Sequence, residues 1–333
     1  MVRLYIIRHG DPDYETNKEQ GGSLTENGRA EAKALASYLK KEGITHAYSS
    51  PMGRAKLTAA LALQEIPRFS TNFLHDKRLK SDDSNGSSRN STSDSDSTSD
   101  STSDINTDSE NNFDNVGIEM WARELSTWRQ SGHLHEFPTK QSRIKAPAIW
   151  DFPAPIIRQQ LHDLSQGQTN MKISGWEESC PDYSNIKCHF REFCDNADEF
   201  LSRHGILKAE GSHSPSHSHS PNYHLSFDVA NDPQLRHQKI ALFCHGGTGL
   251  TLLSHLLSIP LPLIHGGMWL APSSVTTVLF DEYQSEQKDE IIVTPRAIQI
   301  GGTNHLAAAG LEISNSAFED NFERPSGIKH NFM

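Results

Sequence analysis

Residues 4–14 read LYIIRHGDPDY, an apolar run that stops at an arginine and a histidine. The compact β-rich segment 2–7 (VRLYII) predicts a short buried strand. The arginine and histidine after such a strand are either ordinary solvated loop residues or side chains positioned to bind a ligand. Segments elsewhere in the chain favour the second interpretation.

Strand-like and helix-like segments alternate along most of the chain. Apolar residues at helical spacing predict a helix over 28–43 that stops at Gly43, and another over 186–205 that stops at Gly205. Further β-rich runs lie at 44–50, 239–247, 273–283 and 290–302. This alternation predicts an α/β fold, a three-layer α/β/α sandwich with a mostly parallel central sheet.

Three polar segments follow predicted strands: Arg8-His9-Gly10, 49–54 (SSPMGR) and 244–247 (CHGG). Ligands of such sheets bind beyond the carboxyl ends of the strands, so we expect these segments to meet there. Two arginines and two histidines in one place would form a cationic pocket for a tetrahedral dianion, because arginine pairs with phosphate through two parallel hydrogen bonds. Glycines, including Gly10 and Gly246, would let the backbone approach the ligand closely.

Two segments interrupt the globular pattern. The segment at about 81–115 is rich in Ser and Asp and has almost nothing apolar to bury, so we expect a disordered acidic insertion. The segment at about 209–224 is rich in His and Ser and is expected to be a surface loop. With these two interruptions, residues 1–333 are predicted to form a single domain.

Charge and composition exclude several classes of protein. The chain carries −11, but residues 81–114 hold nine acidic residues and one arginine, so the other residues together carry only −3. This balance gives no support to nucleic-acid binding. The four cysteines lack the C-x-x-C spacing of a zinc site. No apolar run approaches the roughly 20 residues that span a bilayer, so we expect a soluble cytoplasmic protein that does not bind membranes.

Four ordered motifs resemble the histidine phosphatase superfamily, also called the phosphoglycerate mutase-like family. LYIIRHGDPDY resembles its first strand and RHG loop, and SLTENGRAEAKALASYLK resembles its second segment, with Glu31 where the family usually has Gln. AYSSPMGRAKLTAA and FCHGGTGLTLLSHLLSIP are similar to its arginine motif and its late histidine motif. Asp11, Pro12 and Tyr14 resemble a branch of the family that reads R-H-G-x-P-D-Y, whereas Asn17 is displaced from the position of the usual phosphate-binding Asn.

The resemblance implies a role for each matching residue. His9 would be the nucleophile that forms a phosphohistidine, with its second ring nitrogen donating to an acceptor such as a backbone carbonyl. Arg8, Arg54 and His245 would hold the phosphoryl oxygens. Gly10 and Gly246 would support the loop geometry. No metal and no cofactor is expected.

The general acid of this family is usually a glutamate, and three segments of the chain could supply it. Arg123-Glu124-Leu125 matches the expected segment once the acidic insertion is removed, and we favour Glu124. The alternatives are Ser81 or Asp82, and Glu177 or Glu178. A working acid needs an environment that holds its proton, which the sequence does not reveal.

The predicted function is metal-independent hydrolysis of phosphomonoesters, either small molecules or phosphoproteins. A phosphoglycerate mutase-type phosphotransferase is the near alternative, but the sequence has no obvious extra basic cluster for a substrate carboxylate. A non-catalytic phosphate-binding protein on the same fold is the third possibility. Substrate specificity is expected from the tryptophan- and proline-rich segment 121–178. The oligomeric state is left open.

Overall fold

A computed structural model describes residues 1–66, 116–125, 135–138, 143–146, 184–209, 223–284 and 291–314. The predicted acidic insertion and most of the predicted His/Ser-rich loop lie outside these residues, so the division of the chain into domains stays a prediction. Among the described helices, none combines the length and the apolar character that crossing a bilayer requires.

The described strands and helices alternate over much of the chain. The strands are β1 (Arg3–Arg8), β2 (Pro12–Asp13), β3 (Ser23–Leu24), β4 (His46–Ser49), β5 (Gly117–Ile118), β6 (His135–Pro138), β7 (Arg143–Ala146), β8 (Ile206–Lys208), β9 (Tyr223–Leu225), β10 (Lys239–Cys244), β11 (Val275–Gln284) and β12 (Ile291–Gly302). The helices are α1 (Glu26–Glu42), α2 (Gly53–Leu63), α3 (Ser184–Ser202), α4 (Phe227–Asn231), α5 (Gly246–Leu257), α6 (Leu261–Gly267) and α7 (Asn304–Ala308).

The main sheet has eight strands in the order β5-β4-β10-β1-β11-β12-β9-β8. The pairs from β5 to β1 are parallel, and those from β1 to β8 are antiparallel. The predicted α/β class is confirmed, and the parallel half is the one that carries the polar segments. β11 and β12 are antiparallel because only a few residues separate them, too few for the crossover that a parallel pair requires.

Helices cover both faces of the sheet, as the side chains of β1 demonstrate. Leu4 and Ile6 belong to one apolar cluster, which includes Phe200 of α3 and Leu252 of α5. Tyr5 and Ile7 point to the opposite face, where they join residues of α1 and α2 such as Leu35 and Ala59. Because successive side chains of a strand alternate between faces, a continuous apolar run such as that of β1 needs a helical layer on each side.

The two predicted helices are present, each beginning two residues before its predicted start, and α1 ends directly before Gly43 as predicted. Thr25 caps α1 by accepting a hydrogen bond from the Gly28 backbone N–H, and Gly43 ends it in the left-handed region at φ 69°. Glycine adopts this backbone conformation without steric cost, so it ends helices often. The second helix, α3, ends at Ser202, three residues before the predicted stop at Gly205, which lies in the following turn with φ 75°.

Candidate active site

Four parallel strands deliver polar residues to one edge of the sheet. Arg8 pairs with Cys244 in register, and Phe243 pairs with Ser49. β5 pairs Ile118 with Ser49, so the segment that continues to Glu124 leaves the sheet at the same edge. Because parallel strands end together, residues far apart in sequence meet here.

His9 is buried at the tip of β1 with both ring nitrogens engaged. Its Nδ1 lies 2.7 Å from the backbone carbonyl oxygen of Gly10, an atom that can only accept a hydrogen bond. Nδ1 therefore carries the proton, and Nε2 accepts a hydrogen bond of 3.1 Å from Nε of Arg54. Nε2 is thus the nitrogen with a lone pair directed into the pocket.

Arg8 is buried and held by the backbone. Its Nη1 donates to the carbonyl oxygen of Leu270, and the Trp269 ring centroid lies 5.9 Å from its Cζ. Its Nε is buried and has no acceptor among the described residues. A buried donor without an acceptor is costly, so this N–H is suited to an oxygen of a bound ligand.

Arg54, in the first turn of α2, is also buried. Its Nη1 donates to the carbonyl oxygen of Gly21, and its Nη2 lies 3.6 Å from Oε2 of Glu124. The Tyr14 ring centroid lies 5.4 Å from its Cζ. The guanidinium group thus bridges the predicted nucleophile and the predicted acid.

His245 directly follows β10, and its ring centroid lies 5.1 Å from that of His9. Its Nε2 lies 2.9 Å from the hydroxyl of Ser50, which can donate to it. The other nitrogen, Nδ1, is buried without a hydrogen-bond acceptor among the described residues, and it lies 3.5 Å from Oε2 of Glu124. In this arrangement Nδ1–H is a second donor available to a ligand.

Glu124 is partly exposed and its segment is fixed from two sides. The Thr248 hydroxyl donates to the carbonyl oxygen of the preceding Arg123 at 2.6 Å. Earlier in the segment, the carboxylate of Glu119 accepts from Arg203 at 2.7 Å and from the Trp121 indole at 2.8 Å. The alternative acids, at positions 81, 82, 177 and 178, lie outside the described residues.

Burial sets the protonation state of both histidines. Desolvation, with further contributions from Arg54 and Arg8, lowers the pKa of His9 well below its usual range, although the Gly10 carbonyl opposes the shift. Desolvation, with His9 and the same two arginines, lowers the pKa of His245 likewise. Both imidazoles are therefore neutral at physiological pH, which leaves His9 nucleophilic.

The charges of the pocket favour an anion. His9, Glu124 and His245 place their ligand atoms within 4.8 Å of one another, a spacing that could hold a divalent cation. However, the two buried guanidinium groups of Arg8 and Arg54 put two positive charges beside them. A phosphoryl dianion fits this balance of charge better than a metal ion does.

The two glycines predicted to support the site lie against other backbone or side-chain atoms. A Cβ at Gly10 would lie 2.5 Å from the carbonyl oxygen of Gly28, so only glycine fits there. A Cβ at Gly246 would lie 3.5 Å from Nε of Arg8, an ordinary contact distance. Gly10 is therefore required for the packing of its loop, whereas Gly246 borders the predicted ligand site.

Sequence reasoning missed three residues that organise the pocket. Ser50 bonds His245, and the Thr58 hydroxyl accepts from the Gly10 backbone N–H at 3.0 Å. The fully buried Glu31 accepts from the Asp11 backbone N–H at 2.8 Å. For Glu31 a signal was present, since it stands where the resembling family usually has Gln.

Two further expectations concern Asn17 and the segment 121–178, which surround the pocket residues in sequence. The side chain of Asn17 is exposed in a turn, with backbone φ of 55°. Most of the segment 121–178 expected to set specificity lies outside the described residues. Trp121 packs edge-on against Phe193, with ring centroids 5.2 Å apart, and so belongs to the core on that side.

Comparison with known families finds matches to the first part of the chain. Residues 4–83 match the family described as the histidine phosphatase superfamily, branch 1. A probable phosphoglycerate mutase GpmB of Serratia proteamaculans is 32% identical over 84 residues, which cover 24% of this chain and 38% of that protein. The corresponding protein of Photorhabdus laumondii is 37% identical over 65 residues, which cover 18% and 30%. The chain thus spans less than two fifths of these curated relatives.

Solved structures give further similarities. One is a mutant phosphoserine phosphatase of Entamoeba histolytica in complex with phosphoserine, with a TM-score of 0.43, 15% identity, and coverage of 92% of this chain and 100% of that one. Another is a mycobacterial glucosyl-3-phosphoglycerate phosphatase in complex with VO3, with a TM-score of 0.40, 15% identity, and coverage of 90% and 97%. Neither similarity bears on the reaction of this chain.

Proposed function

We propose that this chain belongs to the histidine phosphatase superfamily, which its match over residues 4–83 supports, and that it hydrolyses phosphomonoesters through a phosphohistidine on His9. One observation carries the proposal. The buried His9 has its Nδ1 proton committed to the Gly10 carbonyl, so the lone pair of Nε2 faces a pocket with two arginines. That arrangement suits in-line attack on a phosphoryl group.

In the first step, Nε2 of His9 attacks phosphorus, and the bond from phosphorus to the ester oxygen breaks. The leaving alkoxide takes a proton from the carboxyl group of Glu124. In the second step, the Glu124 carboxylate takes a proton from water, and the resulting hydroxide attacks the phosphohistidine. Inorganic phosphate leaves, and His9 and protonated Glu124 are restored.

The donors of the pocket stabilise the charge on the phosphoryl oxygens. Nε of Arg8 and Nδ1 of His245 are buried donors without acceptors among the described residues, and phosphoryl oxygens would supply those acceptors. Arg54 would turn its Nε–H from Nε2 of His9 to a phosphoryl oxygen as the ester binds. The donors of Arg8 and His245 are already in place, so they cost little reorganisation when charge develops in the transition state.

Helix α5 adds a further contribution. It begins at Gly246, directly after His245, so its N-terminal backbone N–H groups and positive dipole end lie at the same edge of the sheet. A Cβ at Gly247 would lie 3.0 Å from Oε1 of Glu124, which places the acid beside this helix end. Helix N-termini stabilise phosphate anions.

A second candidate function is phosphoglycerate mutase-type transfer, because the curated relatives are named as probable phosphoglycerate mutases. It uses the same first step but returns the phosphoryl group to a second hydroxyl instead of water. Incubation with 3-phosphoglycerate distinguishes the two, since a mutase yields 2-phosphoglycerate and a hydrolase yields inorganic phosphate. Phosphate release is the expected result.

The test of the mechanism uses p-nitrophenyl phosphate in the presence of EDTA, with the quenched protein assayed for a phosphoryl group that is labile to acid and stable to base. We expect turnover and a labelled phosphoenzyme in the native protein, and neither in His9→Ala. Retained turnover in His9→Ala would refute the phosphohistidine. A native protein that binds phosphate without turnover would favour the non-catalytic alternative. A panel of small phosphate esters and phosphopeptides then ranks substrates.

A further inference from the structure

A single peptide group connects His9 to a buried carboxylate. The carbonyl oxygen of the Gly10–Asp11 peptide lies 2.7 Å from Nδ1 of His9. The N–H of the same peptide group donates to Oε2 of Glu31 at 2.8 Å. Hydrogen bonds at the two ends of one amide polarise each other, so the carboxylate influences the imidazole without touching it.

Glu31 is held rigidly in this position. It lies on α1 with no exposed surface, and Nδ2 of Asn27, one turn earlier, donates to its Oε1 at 3.0 Å. Its two carboxylate oxygens thus accept one hydrogen bond each, from different donors. Asn27 belongs to α1, and the Asp11 N–H lies against the start of that helix. The carboxylate would therefore lose both hydrogen bonds if it moved away from the loop.

The backbone around this peptide group is also close-packed. A Cβ at Gly28 would lie 2.2 Å from the carbonyl oxygen of Asp11. The Asp11 carbonyl accepts from the Thr25 backbone N–H at 3.1 Å, and the Gly10 N–H donates to the Thr58 hydroxyl at 3.0 Å. The Gly10–Asp11 peptide group is therefore fixed in orientation by α1 and α2 together.

When it is ionised, the carboxylate carries a charge that is poorly solvated. Burial raises the pKa of Glu31 to about 7, and the nearby Asp11 adds to this, while Arg8 and the hydrogen bonds from Asp11 N–H and Asn27 oppose it. Among the described residues, Arg8 at the end of β1 and Asp11 in the following loop are the charged groups that act on it. In this low-dielectric setting a charge acts on neighbouring dipoles more strongly than in water.

We propose that Glu31 is a positioning residue which, through the Gly10–Asp11 peptide group, holds His9 in the Nδ1–H tautomer and strengthens Nε2 as a nucleophile. The inference rests on the proposed function. A carboxylate that orients an imidazole by accepting a hydrogen bond from its ring N–H is a recurring arrangement, and here one amide stands between the two groups. Gln at this position would accept the same N–H without contributing a charge.

The test compares Glu31→Gln, which keeps an acceptor but loses the charge, with Glu31→Met, which loses both at similar volume. Glu26→Gln is the matched control, because Glu26 is an exposed acid in the first turn of the same helix. The first readout is the ¹⁵N chemical shifts of the His9 ring in the ligand-free protein. We expect the Nδ1–H tautomer in the native protein, in Glu31→Gln and in Glu26→Gln, and a mixture of tautomers in Glu31→Met.

The second readout is the single-turnover rate of phosphoenzyme formation against pH. We expect the rate at pH 8 to fall about 5-fold in Glu31→Gln and about 10²-fold in Glu31→Met, with KM changed by less than about 3-fold. The ratio of the native rate to that of Glu31→Gln should grow as pH rises through about 7, because only the native side chain gains a charge there. Taking this ratio cancels the titration of the substrate.

The outcomes separate the inference from the proposed function. If the native protein forms no phosphoenzyme, the proposed function fails, yet the tautomer of His9 still tests the role of Glu31. If Glu31→Met does not fold, the pH dependence of Glu31→Gln decides alone. Native-like tautomer populations in Glu31→Met, or a rate ratio in Glu31→Gln that does not change with pH, would overturn the inference.

Discussion

The two ends of helix α5 each hold a histidine beside a carboxylate, and the two pairs differ in how completely they are bonded. At the N-terminal end, Nδ1 of His245 lies 3.5 Å from Glu124 and makes no hydrogen bond among the described residues. In the last turn, Nε2 of His255 lies 2.7 Å from Oδ1 of Asp198. Both pairs combine a histidine with an acidic residue, but only the pair in the last turn forms a hydrogen bond.

The pair at the C-terminal end belongs to a satisfied network. Asp198 of α3 accepts from His255, from the Tyr223 hydroxyl at 2.8 Å and from Nζ of Lys208 at 2.7 Å. Burial by itself would raise the pKa of Asp198, but these hydrogen bonds and charges outweigh it, so its pKa lies below the usual range. The network ties α3, β8, β9 and α5 together, which is a structural role.

The pair at the N-terminal end leaves donors available. Nδ1 of His245 and Nε of Arg8 are both buried and both lack an acceptor among the described residues. Unsatisfied buried donors destabilise a fold, and a phosphoryl group bound here would supply these two with acceptors. The two histidine–carboxylate pairs therefore differ in how completely they are hydrogen-bonded, and not in residue type.

Removing His245 and His255 in separate variants tests the difference between the two pairs. We expect His245→Ala to lower turnover of p-nitrophenyl phosphate by about 10²–10³-fold, because it deletes a donor to the phosphoryl group. His255→Ala should keep turnover per folded molecule within about 3-fold and lower the free energy of unfolding by about 1–3 kcal/mol, because it removes a bond to a buried carboxylate.

Both variants are measured for turnover and for urea unfolding on the same preparation. A reversed pattern, with His255→Ala inactive but fully stable, would contradict the division into site and scaffold. Turnover in His245→Ala above about a tenth of the native rate would equally count against it, since one donor to a transition state is usually worth more.

The second prediction concerns Glu124, the predicted general acid, which lies beside the N-terminal end of α5. Glu124→Gln should slow phosphoenzyme formation by about 10²-fold for an alkyl phosphate, whose leaving group needs a proton. For p-nitrophenyl phosphate, whose leaving group is stable as an anion, we expect a loss under about 10-fold. Stopped-flow and rapid-quench rates over a series of leaving groups measure this difference. Equal rates for native and variant protein across the series would move the role to Asp82 or to another acid.

The third prediction extends the comparison to stability against pH. The pKa of Glu31 is raised from 4.5 to about 7, so the folded state binds this proton more tightly than the unfolded state. Stability from this residue is therefore full below about pH 4.5 and is lost as pH rises through about 7. We expect Glu31→Gln to raise the free energy of unfolding at pH 8 by up to roughly 3 kcal/mol, and by less at pH 5.5.

Asp198→Asn is the opposite control, measured by urea unfolding at the same two pH values. Because the pKa of Asp198 is lowered, its contribution is present above the unfolded value and is lost as pH falls through the folded one. The variant should therefore be less stable than the native protein at both pH 5.5 and pH 8. A stability gain in Glu31→Gln that is equal at the two pH values would show that Glu31 does not titrate between them.

Much of the fold followed from local patterns. The apolar run of β1, the stop at Gly43 and the strand before His245 each agree with the structure. The antiparallel half of the sheet was not anticipated, although β11 and β12 are separated by too few residues for a helical crossover. The direction of a strand depends on that connection and not on its own residues.

The residues of the candidate site were named from sequence motifs, and their roles stay a prediction. His9, Arg8, Arg54 and His245 were named from motifs, and the structure brings them together with Glu124. Glu31, Ser50 and Thr58 were not assigned roles, because their partners are 20 to 195 positions away in sequence. Spacing within a motif carries no information about such contacts.

Local patterns of apolar residues and glycines were enough to predict which side chains end each parallel strand. The state of those side chains follows from the folded arrangement: the proton of His9 on Nδ1, the donors of Arg8 and His245 that lack acceptors among the described residues, and the peptide group that connects His9 to Glu31. The physical reason is that protonation and hydrogen bonding depend on burial and on distances of about 3 Å between segments remote in the chain.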